Sequence, residues 1–189
     1  PPAPEGGQTN FSAIRGANYI PSSPAAVSWD FLAPDALFDR EVIAREVGWA
    51  RSELRLNALR FRASPGSFAH DPPAFARNLE VFLGIARANQ IRVMPILFDT
   101  GDLLKPLTNA TSVEAYLRVV IAAHADDDTV LGFDMCNECY FTQTTKDGDE
   151  KRKALEEITL RARQLRGPRQ FVTTGMGDFG LWTHEAEQA

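Results

Sequence analysis

The sequence lacks the features that mark membrane and nucleic-acid proteins. No apolar run approaches the ~20 residues that cross a bilayer, and the 20 basic residues are outnumbered by 25 acidic ones. The formal net charge of -5 arises from both signs interspersed along the chain, without a basic stripe. We therefore predict neither a membrane partner nor a nucleic-acid partner.

Cysteine and histidine are also scarce, which limits metal chemistry. The two cysteines form the run Cys136-Asn137-Glu138-Cys139, a CxxC spacing that can be redox-active or half of a zinc site. No second cysteine pair and no nearby histidine accompany it. The first cysteine lies within a predicted strand, not at a helix start where a thiolate would be stabilised. We predict structural or incidental cysteines, no bound metal and no cofactor.

Strand-like and helix-like segments alternate through the rest of the chain. The predicted strands are residues 14–20, 57–63, 91–99, 130–137 and 171–175. Apolar residues at helical spacing predict helices over 34–54, 73–89, from 111 onward, and 148–166. Short connections between such segments imply parallel strands with right-handed crossovers. We predict a flexible leader over residues 1–13 and a single domain over 14–189.

Two α/β architectures fit this alternation, an open doubly wound sheet and a barrel. A nucleotide-binding doubly wound domain usually has a glycine-rich turn after its first strand, and residues 18–24 contain no glycine. A phosphate cradle is therefore not expected. The third strand is almost wholly apolar, as expected for a strand covered on both faces. Pro95 within it predicts a bulge or local irregularity, because proline removes a ladder donor.

The most informative motif is the Asn137-Glu138 pair that ends the fourth predicted strand. A buried strand ending in this way brings a carboxylic acid to the rim of the sheet, with an amide beside it. Active sites of parallel α/β folds lie at the carboxyl ends of strands. Glu138 is therefore a candidate catalytic residue. The alternative is a loop glutamate paired with Arg60.

Four segments resemble the clan-A glycoside hydrolases, the (βα)8-barrel cellulase and mannanase type. They are Arg15-Gly16-Ala17-Asn18-Tyr19, Asn57-Ala58-Leu59-Arg60-Phe61, residues 91–99 and residues 132–138. They are similar to the first four strands of that family, in order. Cys139 departs from the family pattern, which has proline there. The resemblance implies a partial (βα)8 TIM-barrel-like parallel sheet of about five βα units. The chain would then be a natural short form, a fragment or a half-barrel relative.

What the resemblance implies about function is a retaining β-glycosidase acting on a β-linked oligosaccharide or polysaccharide. Such enzymes use two carboxylic acids about 5–5.5 Å apart. Glu138 would be the acid/base, Asn137 would donate to a sugar 2-hydroxyl, and Arg60 would hold the carboxylates ionised and oriented. Asn18 and Trp29 are further substrate-binding candidates, with Trp29 as the aromatic that would stack on a sugar ring. The resemblance also favours an extracytoplasmic or secreted location.

The second carboxylate is where the resemblance stops, because no glutamate here matches the nucleophile of the family's seventh strand. Asp99 and Asp178 could reach the rim, or could serve as surface carboxylates. Whether the chain is an enzyme therefore stays open. The alternative is a non-catalytic barrel remnant that binds glycan or assembles with a partner chain.

Two expectations concern packing and assembly. We expect Leu97, Phe98, Phe133 and Phe171 in the core, and Trp49 as well, since it lies in a helical apolar stripe. The unpaired edges of the first and fifth strands predict a homo-oligomer, because exposed strand edges invite association.

Overall fold

Five parallel strands form one sheet in the computed structural model, which describes residues 11–22, 30–32, 38–99, 110–139 and 146–175. The strands are β1 (Gly16–Asn18), β2 (Ala58–Arg62), β3 (Arg92–Ile96), β4 (Gly132–Asp134) and β5 (Phe171–Thr173). Their order in the sheet follows the chain from β1 to β5, and every neighbouring pair is parallel. A doubly wound sheet reverses its order at a switch point, so this order is that of a barrel. The predicted sheet is confirmed.

Helices connect successive strands. They are α1 (Arg40–Ser52), α2 (Pro65–His70), α3 (Pro72–Ala88), α4 (Ala110–Val120) and α5 (Lys146–Leu165), with a 3-10 turn at Phe11–Ala13 and another at Ala122–His124. No helix in the described part of the chain is both long and apolar enough to span a bilayer.

The short helix α2 was not predicted from the sequence. The hydroxyl of Ser64 accepts from the backbone N–H of Gly66, and Pro65 occupies the first turn. Both are favourable at a helix start. Asp71 then caps α3 by accepting from the N–H of Ala74 at 2.9 Å. The helix-start signals at Ser64 and Asp71 are only seven residues apart. The helix between them is too short to show a helical repeat of apolar residues in the sequence.

The core lies between the sheet and its helices. It centres on an aromatic cluster in which the rings of Phe61 and Phe82 are 4.6 Å apart and those of Phe31 and Phe82 are 5.3 Å apart. The predicted core residues Leu97, Phe98 and Phe133 are fully buried.

Two core predictions were wrong. Phe171 is only half-buried, because it lies on β5 at the edge of the sheet. Trp49 is 54% exposed and stacks under the guanidinium of Arg45. The buried stripe of α1 includes Val47, and residues two apart on a helix face different directions.

Pro95 coincides with an irregular pairing of β3 and β4. The N–H of Val93 donates to the carbonyl of Thr129, and the N–H of Leu97 donates to that of Asp134. The chain advances four residues on one side and five on the other, which is a bulge. This outcome matches the prediction, and it shifts the pairing by one residue, because Val93 lies opposite Val130 whereas Ile96 lies opposite Asp134 and Asp99 opposite Asn137.

Candidate functional site

A buried ion pair joins β2 to β4 beneath the carboxyl end of the sheet. Asp134, the last residue of β4, is 2% exposed, and its Oδ2 accepts from Nε and Nη2 of Arg60 at 2.9 and 2.6 Å. Its Oδ1 accepts from the backbone N–H groups of Cys136 and Gly175 at 3.2 and 3.0 Å. A buried carboxylate is tolerated when its lone pairs are satisfied in this way, so Asp134 ties the end of β4 to the middle of β2 and to the segment after β5.

Arg60 extends from this pair to two asparagines. Its Nη1 donates to Oδ1 of Asn18 at 3.1 Å, and its Nη2 donates to Oδ1 of Asn137 at 3.0 Å. The rigid guanidinium fork can hold several oxygens in one plane. An asparagine whose oxygen accepts from arginine presents its NH2 group as a donor. The arrangement therefore orients two amide donors, which suits a ligand rich in hydroxyl groups.

Glu138 lies in a turn directly after this network. It is exposed and has a φ of 47°, in the left-handed region that residues with a Cβ rarely adopt. The turn is attached to both neighbouring strands: the N–H of Asn137 donates to the carbonyl of Phe98 at 2.9 Å, and the N–H of Cys139 donates to that of Gly175 at 3.2 Å. Unusual backbone conformations of this kind concentrate at functional sites.

A cavity of about 240 Å³ opens between these residues. It is lined by Asn18, Arg60, Arg62, Ile96, Asp99, Asn137 and Glu138. Asn18, Arg62 and Ile96 are the last residues of β1, β2 and β3, so the cavity lies at the carboxyl ends of the strands.

Four of the five predicted site residues meet at this cavity. The fifth, Trp29, lies outside the described residues, as does Asp178. Asp99 lines the same cavity, and its Oδ2 is 3.6 Å from Nη1 of Arg62. Asp99 is thus the second carboxylate that the described residues bring to the cavity.

A larger hollow of about 610 Å³ lies against one face of the sheet. Apolar and small residues dominate its lining, including Leu59, Met94 and Leu131, and it shares Asn18 and Arg60 with the smaller cavity. Side chains fill the corresponding space in a closed barrel. We take the smaller cavity as the candidate site, because it holds the carboxylates.

Within the described residues no group of three or more histidine, cysteine or acidic side chains is arranged to hold a metal ion. The two cysteines, Cys136 and Cys139, form a disulfide with each other.

Sequence reasoning missed Asp134, the partner of Arg60. A signal was present, since Asp134 is the one charged residue in the otherwise apolar run 130–136. Acidic residues are almost never fully buried unless they are paired. A carboxylate in a buried strand therefore predicts a buried cation opposite; β2 offers Arg60 and Arg62, and the structure pairs Asp134 with Arg60.

Known proteins resemble this chain in fold. The sequence matches neither a protein-family model nor a curated protein. Among solved structures, the catalytic domain of the Thermobifida fusca endoglucanase Cel5A (E5) matches with a TM-score of 0.60 at 14% identity, over 92% of this chain and 53% of that chain.

Two further structures agree with this likeness. The hyperthermostable endo-1,4-β-D-mannanase of Thermotoga petrophila RKU-1 matches with a TM-score of 0.57 at 12% identity, over 86% of this chain and 55% of that one. GH5_18 from Streptomyces cattleya matches with a TM-score of 0.58 at 17% identity, over 86% of this chain and 45% of that one. The chain spans about half the length of these structures. At such identities the likeness shows the fold, and the predicted resemblance to the cellulase and mannanase barrels is confirmed at that level.

Proposed function

We propose that the cavity formed by Asn18, Arg60, Asn137 and Glu138 binds a β-linked glycan, and that Glu138 is the acid/base of a retaining glycoside hydrolase site. One observation carries the proposal. These side chains, from three separate strands, line a single cavity at the carboxyl ends of a sheet whose fold is that of cellulases and mannanases. Among those structures, the Cel5A domain was also solved in complex with cellotetraose and another is an endo-1,4-β-D-mannanase, which makes β-1,4-linked glucose and mannose oligomers the first ligands to test.

The chemistry needs a proton donor and a nucleophile. Glu138 would protonate the leaving oxygen, while a second carboxylate about 5–5.5 Å away attacks the anomeric carbon. The covalent intermediate divides one difficult step into two easier ones. Asp99 is the candidate nucleophile among the described residues because it lines the same cavity.

A second candidate function is glycan binding without hydrolysis, by a chain that assembles with another copy through the outer edges of β1 and β5. The ion pair between Asp99 and Arg62 favours it, since a carboxylate held by arginine is a poorer nucleophile. The amide and guanidinium donors of the cavity would bind sugar hydroxyls in either case.

Hydrolysis of aryl β-glycosides tests the catalytic proposal. We expect Glu138→Gln to slow substrates with poor leaving groups by about 100-fold or more, because they need the proton most, and general acid catalysis contributes about that much. For substrates with good leaving groups, the variant should slow the first step, formation of the covalent intermediate, less than it slows the second step, deglycosylation. Glu156→Gln, the same change at an exposed position of α5, should match the parent. An active parent whose rates are unaffected by Glu138→Gln would refute the role of Glu138.

Calorimetric titration separates the two candidates. Cellotetraose and mannotetraose should bind the parent, and Asn137→Ala should bind about tenfold more weakly, the effect expected of one lost hydrogen bond. Binding without turnover would favour the second candidate. Absence of both binding and turnover would contradict the glycan proposal altogether.

A further inference from the structure

The Cys136–Cys139 disulfide encloses the two central residues of the candidate site and no others. Its ring contains Asn137 and Glu138, and the Cα atoms of the two cysteines are 5.8 Å apart, within the range that disulfides span without backbone movement. Both cysteines are buried.

We propose that this disulfide is a positioning device for the site: it holds Glu138 in its left-handed conformation and keeps Asn137 against Arg60. The expected effect of the disulfide on catalysis rests on the proposed function. The expected effect on the backbone conformation of the turn does not depend on that function.

Hydrogen bonds hold three of the four residues of the turn, Cys136, Asn137 and Cys139. The N–H of Cys136 donates to Oδ1 of Asp134, and the N–H of Cys139 donates to the carbonyl of Gly175. Asn137 is bonded to Phe98 on the other side. These bonds tie the turn to β3, to β4 and to the segment after β5.

Glu138 has the conformation that needs most support. With a φ of 47°, its Cβ is close to the following carbonyl, so right-handed and extended conformations are favoured in an open chain. Either would turn the carboxylate to a new direction. A disulfide that closes a ring of four residues reduces the conformations open to the turn, and so favours the one that places Glu138 at the cavity.

The buried position of the sulfur atoms indicates a permanent constraint. Exposed disulfides are the labile, regulatory ones, whereas reductant reaches Cys136 and Cys139 poorly because both are buried.

The test compares the parent with the Cys136→Ala/Cys139→Ala double variant, after thiol labelling in denaturant, which exposes both buried cysteines, has measured whether they are paired in the parent. The Cα and Cβ chemical shifts of Glu138, measured by NMR without ligand, report its backbone conformation. We expect the parent shifts to be those of a left-handed residue and the variant shifts to move to averaged values. We expect kcat to fall roughly tenfold to a hundredfold, as for a misplaced catalytic group, with KM changed less.

Ile158→Val is the control, because it removes one methylene from a buried position on α5. It should lower Tm and leave both the Glu138 shifts and kcat unchanged. If the double variant does not fold, the parent unfolded in urea with dithiothreitol and refolded in its presence takes its place, because the buried disulfide is reached poorly in the folded chain.

Three results would overturn the inference. They are unpaired thiols in the parent, unchanged Glu138 shifts in the variant, or altered shifts with an unchanged kcat in an active parent. If the parent neither binds nor hydrolyses glycans, the proposed function fails, and the chemical shifts still decide whether the disulfide positions Glu138.

Discussion

Four hydrogen bonds reach the two oxygens of Asp134, two from Arg60 and two from backbone N–H groups. Charge-assisted bonds of this kind are about twice as strong as neutral ones. Asp134 is therefore engaged as the support of Arg60, and Arg60 in turn orients Asn18 and Asn137. At the scale of single residues, the shape of the cavity depends on a carboxylate that does not line it.

Replacing this carboxylate should be costly. We expect Asp134→Asn to lower the free energy of unfolding by about 3 kcal/mol, because it leaves the partly buried Arg60 without its counter-charge. The same change at Asp149, whose exposed side chain pairs with Arg152 at 3.0 Å, should cost less than about 1 kcal/mol. Urea denaturation of both variants measures the difference, and equal losses would contradict the role given to Asp134.

His124 should make stability depend on pH. It is buried in the turn after α4, and burial lowers its pKa, although Glu80 lies 3.8 Å from its Nε2 and opposes this shift. Below the usual pKa of about 6.5, the unfolded state therefore takes up a proton before the folded state does. Stability should fall as the pH drops through that region, by at most about 1.4 kcal/mol per pH unit.

The measurement is urea denaturation of the parent and His124→Gln at about pH 7.5 and pH 5.5. The variant should lose less stability on acidification than the parent. His70→Gln, at an exposed position at the end of α2, should follow the parent. A His124→Gln variant with the same pH dependence as the parent would show that another group controls it.

At the scale of elements, the close contact between β4 and β5 brings the segment after β5 up to the candidate site. Gly132 lies opposite Phe171 in this pair, and a Cβ at Gly132 would overlap the carbonyl oxygen of Phe171. Glycine in a strand often marks such a close approach. The approach carries Gly175 to within hydrogen-bonding distance of Asp134, so a small residue in β4 contributes to the geometry of the cavity.

Gly132→Ala should therefore force β5 away from β4. We expect a loss of about 1–3 kcal/mol in the free energy of unfolding, the usual cost of overpacking, together with weaker glycan binding. Gly84→Ala is the matched control, because a Cβ there meets nothing within 4 Å. In the interior of α3 it should stabilise the protein by about 1 kcal/mol. Thermal and urea unfolding should give opposite signs for the two variants, and equal signs would refute this packing account.

At the scale of the whole molecule, the part of the sheet that the structure describes is open at both sides. In the described residues nothing pairs with the outer edges of β1 and β5; all of β1 is exposed and β5 is half-buried to exposed. Parallel sheets are normally covered on both faces, and a hollow of about 610 Å³ lies against one face of this one.

We expect the isolated 189-residue chain to self-associate through these edges at high micromolar concentration. Light scattering after size-exclusion chromatography should give a mass above that of one chain. Ala17→Lys, which places a charge on the exposed strand β1, should reduce association, as charged edge residues do in natural sheets. Leu160→Lys, at an exposed apolar position on α5, should not. A stable monomer at that concentration would contradict the prediction.

The sequence by itself determined the order of elements and the place of the site. Alternating strand and helix patterns with short connections permit only parallel strands with regular crossovers, and in such a sheet every carboxyl end lies on one side. This is why Asn18, near the end of the first predicted strand, and Asn137 and Glu138, at and just after the end of the fourth, meet at one cavity with Arg60. Those inferences needed only local sequence patterns and the rule that strands joined by helical crossovers are parallel.

The tertiary structure decided which groups pair. Arg60 and Asp134 are 74 residues apart, and their contact depends on the register of β2, β3 and β4, which includes the bulge opposite Pro95. The exposure of Trp49 depended on which face of α1 met the sheet. A local pattern records the spacing of apolar residues, whereas register and facing are set by packing between distant segments, and only the folded chain contains that information.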